Sequence, residues 1–155
     1  MLAQSTMRAV VQRVLQASVT VAGEVVGSIG PGLCVLVGVA QDDDGRDVDL
    51  LVNKLSQLRV FQDAEGKMNL SVSDVASEVL AVSQFTLFGD VRRGNRPSFT
   101  LAMEPERAQL LFEGFCAGVR SRGVSVATGR FRASMQVSLV NDGPVTILID
   151  TKKVF

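Results

Sequence analysis

The segment that decides the fold is Leu33-Cys34-Val35-Leu36-Val37-Gly38-Val39. It is almost entirely apolar, is rich in β-branched residues and follows the turn-forming stretch Gly30-Pro31-Gly32. A short apolar run of this kind predicts a strand that is buried on both faces of a sheet. We therefore place residues 33–39 at the centre of the sheet.

Other β-rich runs lie on both sides of this central strand. Residues 7–14 and 17–21 run apolar or alternate with polar residues, and Gly23-Glu24 signals a tight turn after them. Residues 79–84 predict a further strand, and the overlapping segment 82–88, which is polar for its setting, would continue it if extended. The first half of the chain therefore predicts a β-meander that leads into a buried sheet.

The last third of the chain also predicts strands, at residues 124–127, 136–140 and 145–149. Residues 141–144, Asn-Asp-Gly-Pro, separate the last two strands and have the composition of a turn. The Gly143-Pro144 bond is a candidate for the cis form, because X-Pro bonds are the ones in which this form is accessible.

Two segments carry helical spacing. Val48, Leu51, Val52, Leu55 and Leu58 fall on one helical face, behind aspartates that suit an N-cap and a first turn. The second helix has a proline in its first turn and a glycine as its stop signal. Its residues are Pro105, Ala108, Leu111, Phe112, Phe115, Cys116, Val119 and Gly123.

Strands that dominate and cluster, rather than alternating one for one with helices, predict an α+β domain. We expect a strongly curved, barrel-like β-sheet with two main helices. The 155 residues fit a single domain, which we place at residues 7–155. Residues 1–6 are expected to be an N-terminal extension that is not native or is disordered.

The chain contains no histidine. This excludes a Ser-His-Asp triad, a Cys-His pair and a histidine-based zinc site, and two cysteines cannot close a tetrahedral zinc site alone. We expect no metal and no cofactor. Cys34 and Cys116 are weak grounds for a disulfide, and no leader or membrane span is indicated, so we expect a cytoplasmic protein.

The net charge is zero, but it is unevenly distributed. Residues 90–132 carry eight arginines against four acids, whereas residues 42–49 are acidic. Arginine suits planar, bidentate contacts to phosphate. The arginines at 92, 93 and 96 are therefore candidates for contact with an anionic partner such as tRNA, and a solvated basic face remains the alternative.

Two polar segments are candidates for a functional site. The first is Ser83-Gln84-Phe85-Thr86-Leu87, and the second is Asn141-Asp142-Gly143-Pro144-Val145-Thr146. Together they closely resemble the paired signatures of the D-aminoacyl-tRNA deacylases, also called D-tyrosyl-tRNA deacylases. Shorter runs resemble the same family, and the similarity covers about residues 7–150. These runs are Gln12-Arg13-Val14, Ala17-Ser18-Val19-Thr20-Val21, Asp63-Ala64-Glu65-Gly66-Lys67-Met68-Asn69, Arg96-Pro97-Ser98-Phe99 and Thr128-Gly129-Arg130-Phe131.

The resemblance implies a deacylase-like fold and a cytoplasmic homodimer that hydrolyses the ester of D-aminoacyl-tRNA. It further implies hydrolysis of glycyl-tRNA mischarged on tRNA(Ala), rejection of L-aminoacyl-tRNA, and active sites at the subunit interface. Carried over by motif, the catalytic residues are Ser83, Gln84, Thr86, Gly143 and Pro144. The substrate-binding residues are Phe85, Phe131, Met135, Arg13 and Thr146, and Arg13 would brace the loop that holds Pro144.

Chemistry without histidine is feasible for this substrate, because an aminoacyl ester is already activated. Thr86 or Ser83 could attack as a nucleophile, but a hydroxyl without a neighbouring base is a poor one. We favour hydrogen-bond donors that polarise the carbonyl, with help from the 2′-hydroxyl of the tRNA. A non-catalytic nucleic-acid-binding β-domain and a hydrolase of another ester remain open alternatives.

Overall fold

The computed structural model describes residues 7–153, and the extension expected at residues 1–6 lies outside this range. The main sheet is built around β1 (Arg8–Val21), an unusually long strand. β8 (Gln136–Asp150) pairs antiparallel with β1 along nearly its whole length. On its other side, β1 pairs first with β3 (Gly32–Gly38) and then with β2 (Glu24–Ile29).

The sheet continues beyond β3 with two parallel strands. β6 (Glu78–Ser83) pairs with β3, and β7 (Val126–Thr128) pairs with β6. β2 and β7 then approach each other closely, because a Cβ added at Gly27 would overlap the carbonyl oxygen of Thr128. The predicted barrel-like α+β architecture is thereby confirmed, and residues 33–37 lie between β1 and β6 as expected.

Two helices cover one face of the sheet. α1 (Gly45–Gln57) begins after Asp44, whose carboxylate accepts a hydrogen bond from the backbone of Arg46. α2 (Pro105–Arg120) has its proline in the first turn, as predicted. Together with the sheet, the helices bury the larger core, and Phe115, Leu51, Leu55, Leu33 and Val35 are among its fully buried members.

Two local predictions need correction. Residues 141–144 are not a turn between two strands; β8 runs through them, with the register against β1 shifting between Gln12 and Gln16. The neighbouring β1 is continuous there, so an irregular stretch of one strand replaces the hairpin that local composition favours. β6 ends at Ser83, and Phe85–Phe88 form a short 3₁₀ helix.

The structure also contains a small hairpin of β4 (Phe61–Gln62) and β5 (Met68–Leu70), for which the sequence analysis made no prediction. Cys34 and Cys116 are buried and not joined in a disulfide. Between residues 7 and 153, no helix is long and apolar enough to cross a membrane.

Candidate functional site

A cavity of about 660 Å³ opens where β6 ends, between the 3₁₀ helix and the start of α2. Six residues that the sequence singled out line it: Ser83, Gln84, Phe85, Thr86, Phe131 and Met135. Its volume is in the range of small-molecule sites. The first signature and the residues that precede β8 therefore meet around one space, although they are far apart in the chain.

The end of β6 brings the polar signature to the cavity. Val79 to Val82 are buried in the sheet, and Ser83 lies beside Val37 in the parallel register with β3. The backbone N–H of Gln84 still donates to the carbonyl of Val37, at 2.8 Å. The chain then leaves the sheet, so its polar residues emerge at the carboxyl end of two parallel strands.

The polar side chains of this wall are organised by one hydrogen bond. Gln84 Nε2 donates to Thr86 Oγ1 at 3.0 Å, which leaves the proton of the Thr86 hydroxyl free to be donated elsewhere. Phe85 is 57% exposed, and its ring packs edge-on against Phe99 with the ring centroids 5.1 Å apart. The wall thus offers a hydroxyl and an amide beside an apolar surface.

Two side chains of the opposite wall are fixed by packing. The Phe131 ring lies against Phe112 of α2, with centroids 6.4 Å apart. Met135 passes close to Gly129, where an added Cβ would lie 2.6 Å from the Met135 sulfur. Glycine at position 129 therefore permits the approach that keeps Met135 at the cavity.

The second signature lies elsewhere. The Gly143-Pro144 peptide bond is cis, and Gly143 has a φ of +142°, which side chains rarely adopt. Asn141 secures the loop: its Oδ1 accepts from the backbone N–H of Val145 at 2.7 Å, and its Nδ2 donates to the Val145 carbonyl at 3.1 Å. Gly143 and Pro144 themselves are exposed.

Arg13 ties this loop to the body of the protein. Its side chain comes from β1 and is buried, with the whole residue 7% exposed. Arg13 Nε donates to the carbonyl of Asp142 at 3.0 Å, and Nη1 donates to the carbonyl of Val60 at 2.6 Å. A contact of 3.5 Å to the Asp142 carboxylate adds an ion pair. The guanidinium therefore bridges two backbone segments and limits the movement of the loop.

The loop does not line the cavity of its own chain. Val137 is the last β8 residue at the cavity, and Gly143 follows six residues later in the same strand. At about 3.3 Å per residue, this separates the two by roughly 20 Å. Thr146, which accepts hydrogen bonds from Gln12 and Asn141, lies with the loop as well.

The arginines at 92, 93 and 96 line a second cavity, of about 570 Å³. Arg92 is held by Asp90, with its Nη2 2.7 Å from the carboxylate. The hydrogen bonds from Arg92 lower the pKa of Asp90 to about 2. Arg92 is therefore already paired with Asp90, whereas Arg93 and Arg96 form no ion pair within residues 7–153.

One stretch of chain separates the two cavities. Phe99 and Ala102 line the first cavity, and Ser98, Thr100 and Leu101 line the second. Sequence reasoning had not singled out Phe99 as a site residue, although the run Arg96-Pro97-Ser98-Phe99 carried the signal. It also missed Arg132, which lines the first cavity next to Phe131 and has no motif of its own.

The chain is similar in sequence to known proteins along nearly its whole length. A family model described as D-Tyr-tRNA(Tyr) deacylase matches residues 10–150. A D-aminoacyl-tRNA deacylase of Anaeromyxobacter dehalogenans (strain 2CP-C) is 58% identical over 96% of this chain and 100% of the relative. One of Sorangium cellulosum (strain So ce56) is 60% identical over 96% of this chain and 100% of the relative.

Two solved structures share the fold. A protein described as c-Myc DNA Unwinding Element Binding Protein superposes with a TM-score of 0.87 at 46% identity, over 92% of this chain and 97% of the other. A probable eukaryotic D-amino acid tRNA deacylase gives a TM-score of 0.82 at 20% identity, over 94% and 99% of the two chains. At that lower identity the likeness concerns the fold alone.

Proposed function

The chain belongs to the D-Tyr-tRNA(Tyr) deacylase family, and from this premise we propose that the cavity at the end of β6 is where it cleaves its substrate. It is a D-aminoacyl-tRNA deacylase, a hydrolase of the ester between a D-amino acid and tRNA. The observation that carries the proposed site is the meeting of Ser83, Gln84 and Thr86 with Phe131 and Met135 around one cavity.

In this proposal the wall of the cavity polarises the ester rather than attacking it. Thr86 can donate its hydroxyl proton because Gln84 already occupies an acceptor position on the oxygen. Among the described residues that line the cavity, none is a carboxylate or other general base for activating Ser83 or Thr86 as a nucleophile. Donors aimed at the developing oxyanion, with the 2′-hydroxyl of the terminal ribose assisting, are therefore the favoured chemistry.

We further propose that the active enzyme is a homodimer with a site shared between subunits. Gly143 and Pro144 lie about 20 Å from the cavity of their own chain, so they would serve a cavity only in a second copy. β8 supports this arrangement, because within residues 7–153 it pairs only with β1 and leaves its other edge open. Val140 and Leu148 on this strand are also exposed, and an open edge with exposed apolar side chains is suited to pairing with another chain.

The rigid loop supports selection by chirality. Once the amino group and the ester are fixed, D- and L-substrates differ in where the side chain points. A loop held by Arg13 and Asn141 could block the L-direction with main-chain atoms of Gly143 and Pro144, which cannot move aside as a rotamer can. Glycine has no side chain to clash, so glycyl-tRNA, including glycine mischarged on tRNA(Ala), would also be hydrolysed.

The second cavity fits the path of the tRNA. With the ester in the first cavity, the backbone of the acceptor end need cross only residues 98–102 to reach Arg93 and Arg96. Arginines beside an otherwise polar lining suit phosphodiester contacts that do not depend on base sequence. We expect this proofreading to operate in the cytoplasm, where aminoacyl-tRNA is delivered to translation.

A deacylation assay with D-aminoacyl-, L-aminoacyl- and glycyl-tRNA tests the substrate range. We expect turnover of the D- and glycyl-esters and none of the L-ester. Ser83→Ala and Gln84→Ala should lower the rate without admitting the L-ester. Efficient hydrolysis of the L-ester by either variant would contradict selection by the loop, and binding without turnover would leave only a nucleic-acid-binding role.

Mixed dimers test the shared site. A chain with Thr86→Ala is combined with a chain carrying Pro144→Ala, each of which we expect to be strongly impaired, though still measurable, as a homodimer. If the site is shared, the mixed dimer has one site with both changes and one with neither, so up to half of the wild-type activity returns. If each site is made by one chain, no activity returns, and light scattering on the same samples reports whether dimers form.

A further inference from the structure

Arg132 is the single charged side chain among the described residues that line the first cavity. The other lining residues are apolar or carry neutral hydroxyl and amide groups, such as Ser83 and Gln84. A lone cation among neutral groups makes the local potential positive, because no lining carboxylate offsets it. The cavity is therefore suited to a substrate with an anionic group at one particular place.

The backbone at Arg132 is unusual. Its φ is +66°, in the left-handed region that favours glycine, yet the residue is an arginine. It lies in a turn in which the backbone N–H of Ala133 donates to the carbonyl of Arg130 at 3.1 Å. A turn of this kind does not need a side chain at position 132. The long cationic side chain of Arg132 is therefore explained better by binding to a ligand than by a role in the local fold.

We propose that Arg132 is a substrate-positioning residue that binds an anionic oxygen group of the aminoacyl-tRNA, namely the 5′-phosphate of the terminal nucleotide. This inference rests on the proposal that the ester is cleaved in this cavity. The ester and the 5′-phosphate are carried by the same ribose, so a cavity that holds the first brings the second to its wall. A guanidinium can bind two phosphate oxygens at once.

This contact is separate from the second cavity. Arg93 and Arg96 lie beyond residues 98–102, and would meet phosphates further from the ester. Glu106 in the first turn of α2 is close enough to interact electrostatically with Arg132. The two side chains form no ion pair within residues 7–153, so the guanidinium is available to phosphate, and Glu106→Gln, which removes a nearby opposing charge, should strengthen that contact.

A side-chain carboxylate of the amino acid has the same chemistry as the phosphate, so the substrates must separate the two. One pair is D-aminoacyl-adenosine with a 5′-hydroxyl and the same compound with a 5′-phosphate. The other pair is D-Asp-tRNA and D-Asn-tRNA, which differ in charge and hardly in size. The hydrolysis of each of these four substrates is measured with the wild type, Arg132→Ala, Arg132→Gly and Arg132→Lys, and kcat and KM are determined separately.

We expect the 5′-phosphate to improve kcat/KM about tenfold in the wild type, mainly through KM, and to give no gain in Arg132→Ala. Arg132→Gly should behave like Arg132→Ala although glycine suits the backbone, and its unfolding temperature should not fall. Arg132→Lys should restore part of the gain. Arg130→Ala is the matched control, because Arg130 lies in the same turn but outside the cavity. This variant should keep the gain in kcat/KM from the 5′-phosphate.

Two results would overturn the inference. One is an equal loss on the 5′-hydroxyl and 5′-phosphate compounds, which would indicate a structural role. The other is a loss confined to D-Asp-tRNA, which would assign Arg132 to the amino acid side chain instead. Failure of the wild type to hydrolyse the 5′-hydroxyl compound, together with full activity of Thr86→Ala on tRNA, would instead contradict the proposed cleavage site.

Discussion

Replacing Arg13 by methionine should detach the loop that carries Gly143 from the rest of the protein. The substitution keeps much of the apolar stem but removes the hydrogen bonds to the carbonyls of Asp142 and Val60, at 3.0 and 2.6 Å. Hydrogen bonds from charged groups contribute about 1.5–3 kcal/mol each. Because Asp142 is partly exposed and can bind water instead, we expect a loss near the lower end, about 3 kcal/mol in all.

For a domain of this size, about 3 kcal/mol lowers the unfolding temperature by roughly 6–12 °C. Urea denaturation followed by circular dichroism measures the free energy of unfolding. Deacylation is then compared at a temperature where the variant is fully folded. We expect slower hydrolysis of D-aminoacyl-tRNA and a smaller ratio of D- to L-turnover, because the loop would no longer hold one position.

Asp142→Asn is the matched control. It removes the ion pair to Arg13 but keeps the backbone carbonyl that accepts the hydrogen bond. The Asp142 side chain is 46% exposed, and ion pairs at such sites contribute only about 0–1 kcal/mol. A loss in Asp142→Asn as large as in Arg13→Met would refute the reasoning, as would an unchanged D/L ratio in Arg13→Met.

Four further outcomes follow from the same geometry. Thr86→Ala should keep measurable deacylation, with a loss of about 2–4 kcal/mol in transition-state stabilisation, and an acyl-enzyme on Thr86 would contradict this. A 2′-deoxy terminal adenosine should slow turnover sharply, whereas unchanged rates would argue for catalysis by protein groups alone. Arg93→Ala and Arg96→Ala should each weaken tRNA binding and reduce its salt dependence, more than Arg92→Ala does, because Arg92 is already paired within its loop. Burial raises the pKa of Asp43 to about 7, so the folded chain binds a proton at this carboxyl group more tightly than the unfolded chain does. The free energy of unfolding should therefore fall as the pH rises from about 4 to 7. Asp43→Asn should abolish that fall and raise the unfolding temperature at pH 8.

Residues close in sequence were predicted well where one local pattern dominates. The buried run at residues 33–39, the helix behind Asp44 and the proline-initiated helix at Pro105 all formed where expected. Each depends on apolar periodicity or on a cap, which act within a few residues. The prediction of a turn at residues 141–144 was wrong because it also depended on local composition alone. Pairing with β1, more than a hundred residues earlier in the chain, overrides that composition.

The sequence by itself determined the family, the α+β class and the absence of histidine chemistry, since these depend on residue types and on their order along the chain. Only the tertiary structure brought Ser83 and Met135 around one cavity, added Phe99 and Arg132, and set Gly143 apart from it. The physical reason is that long-range strand pairing decides which distant segments become neighbours. Local composition carries no record of that pairing, so a motif can be recognised in the sequence without revealing which cavity it serves.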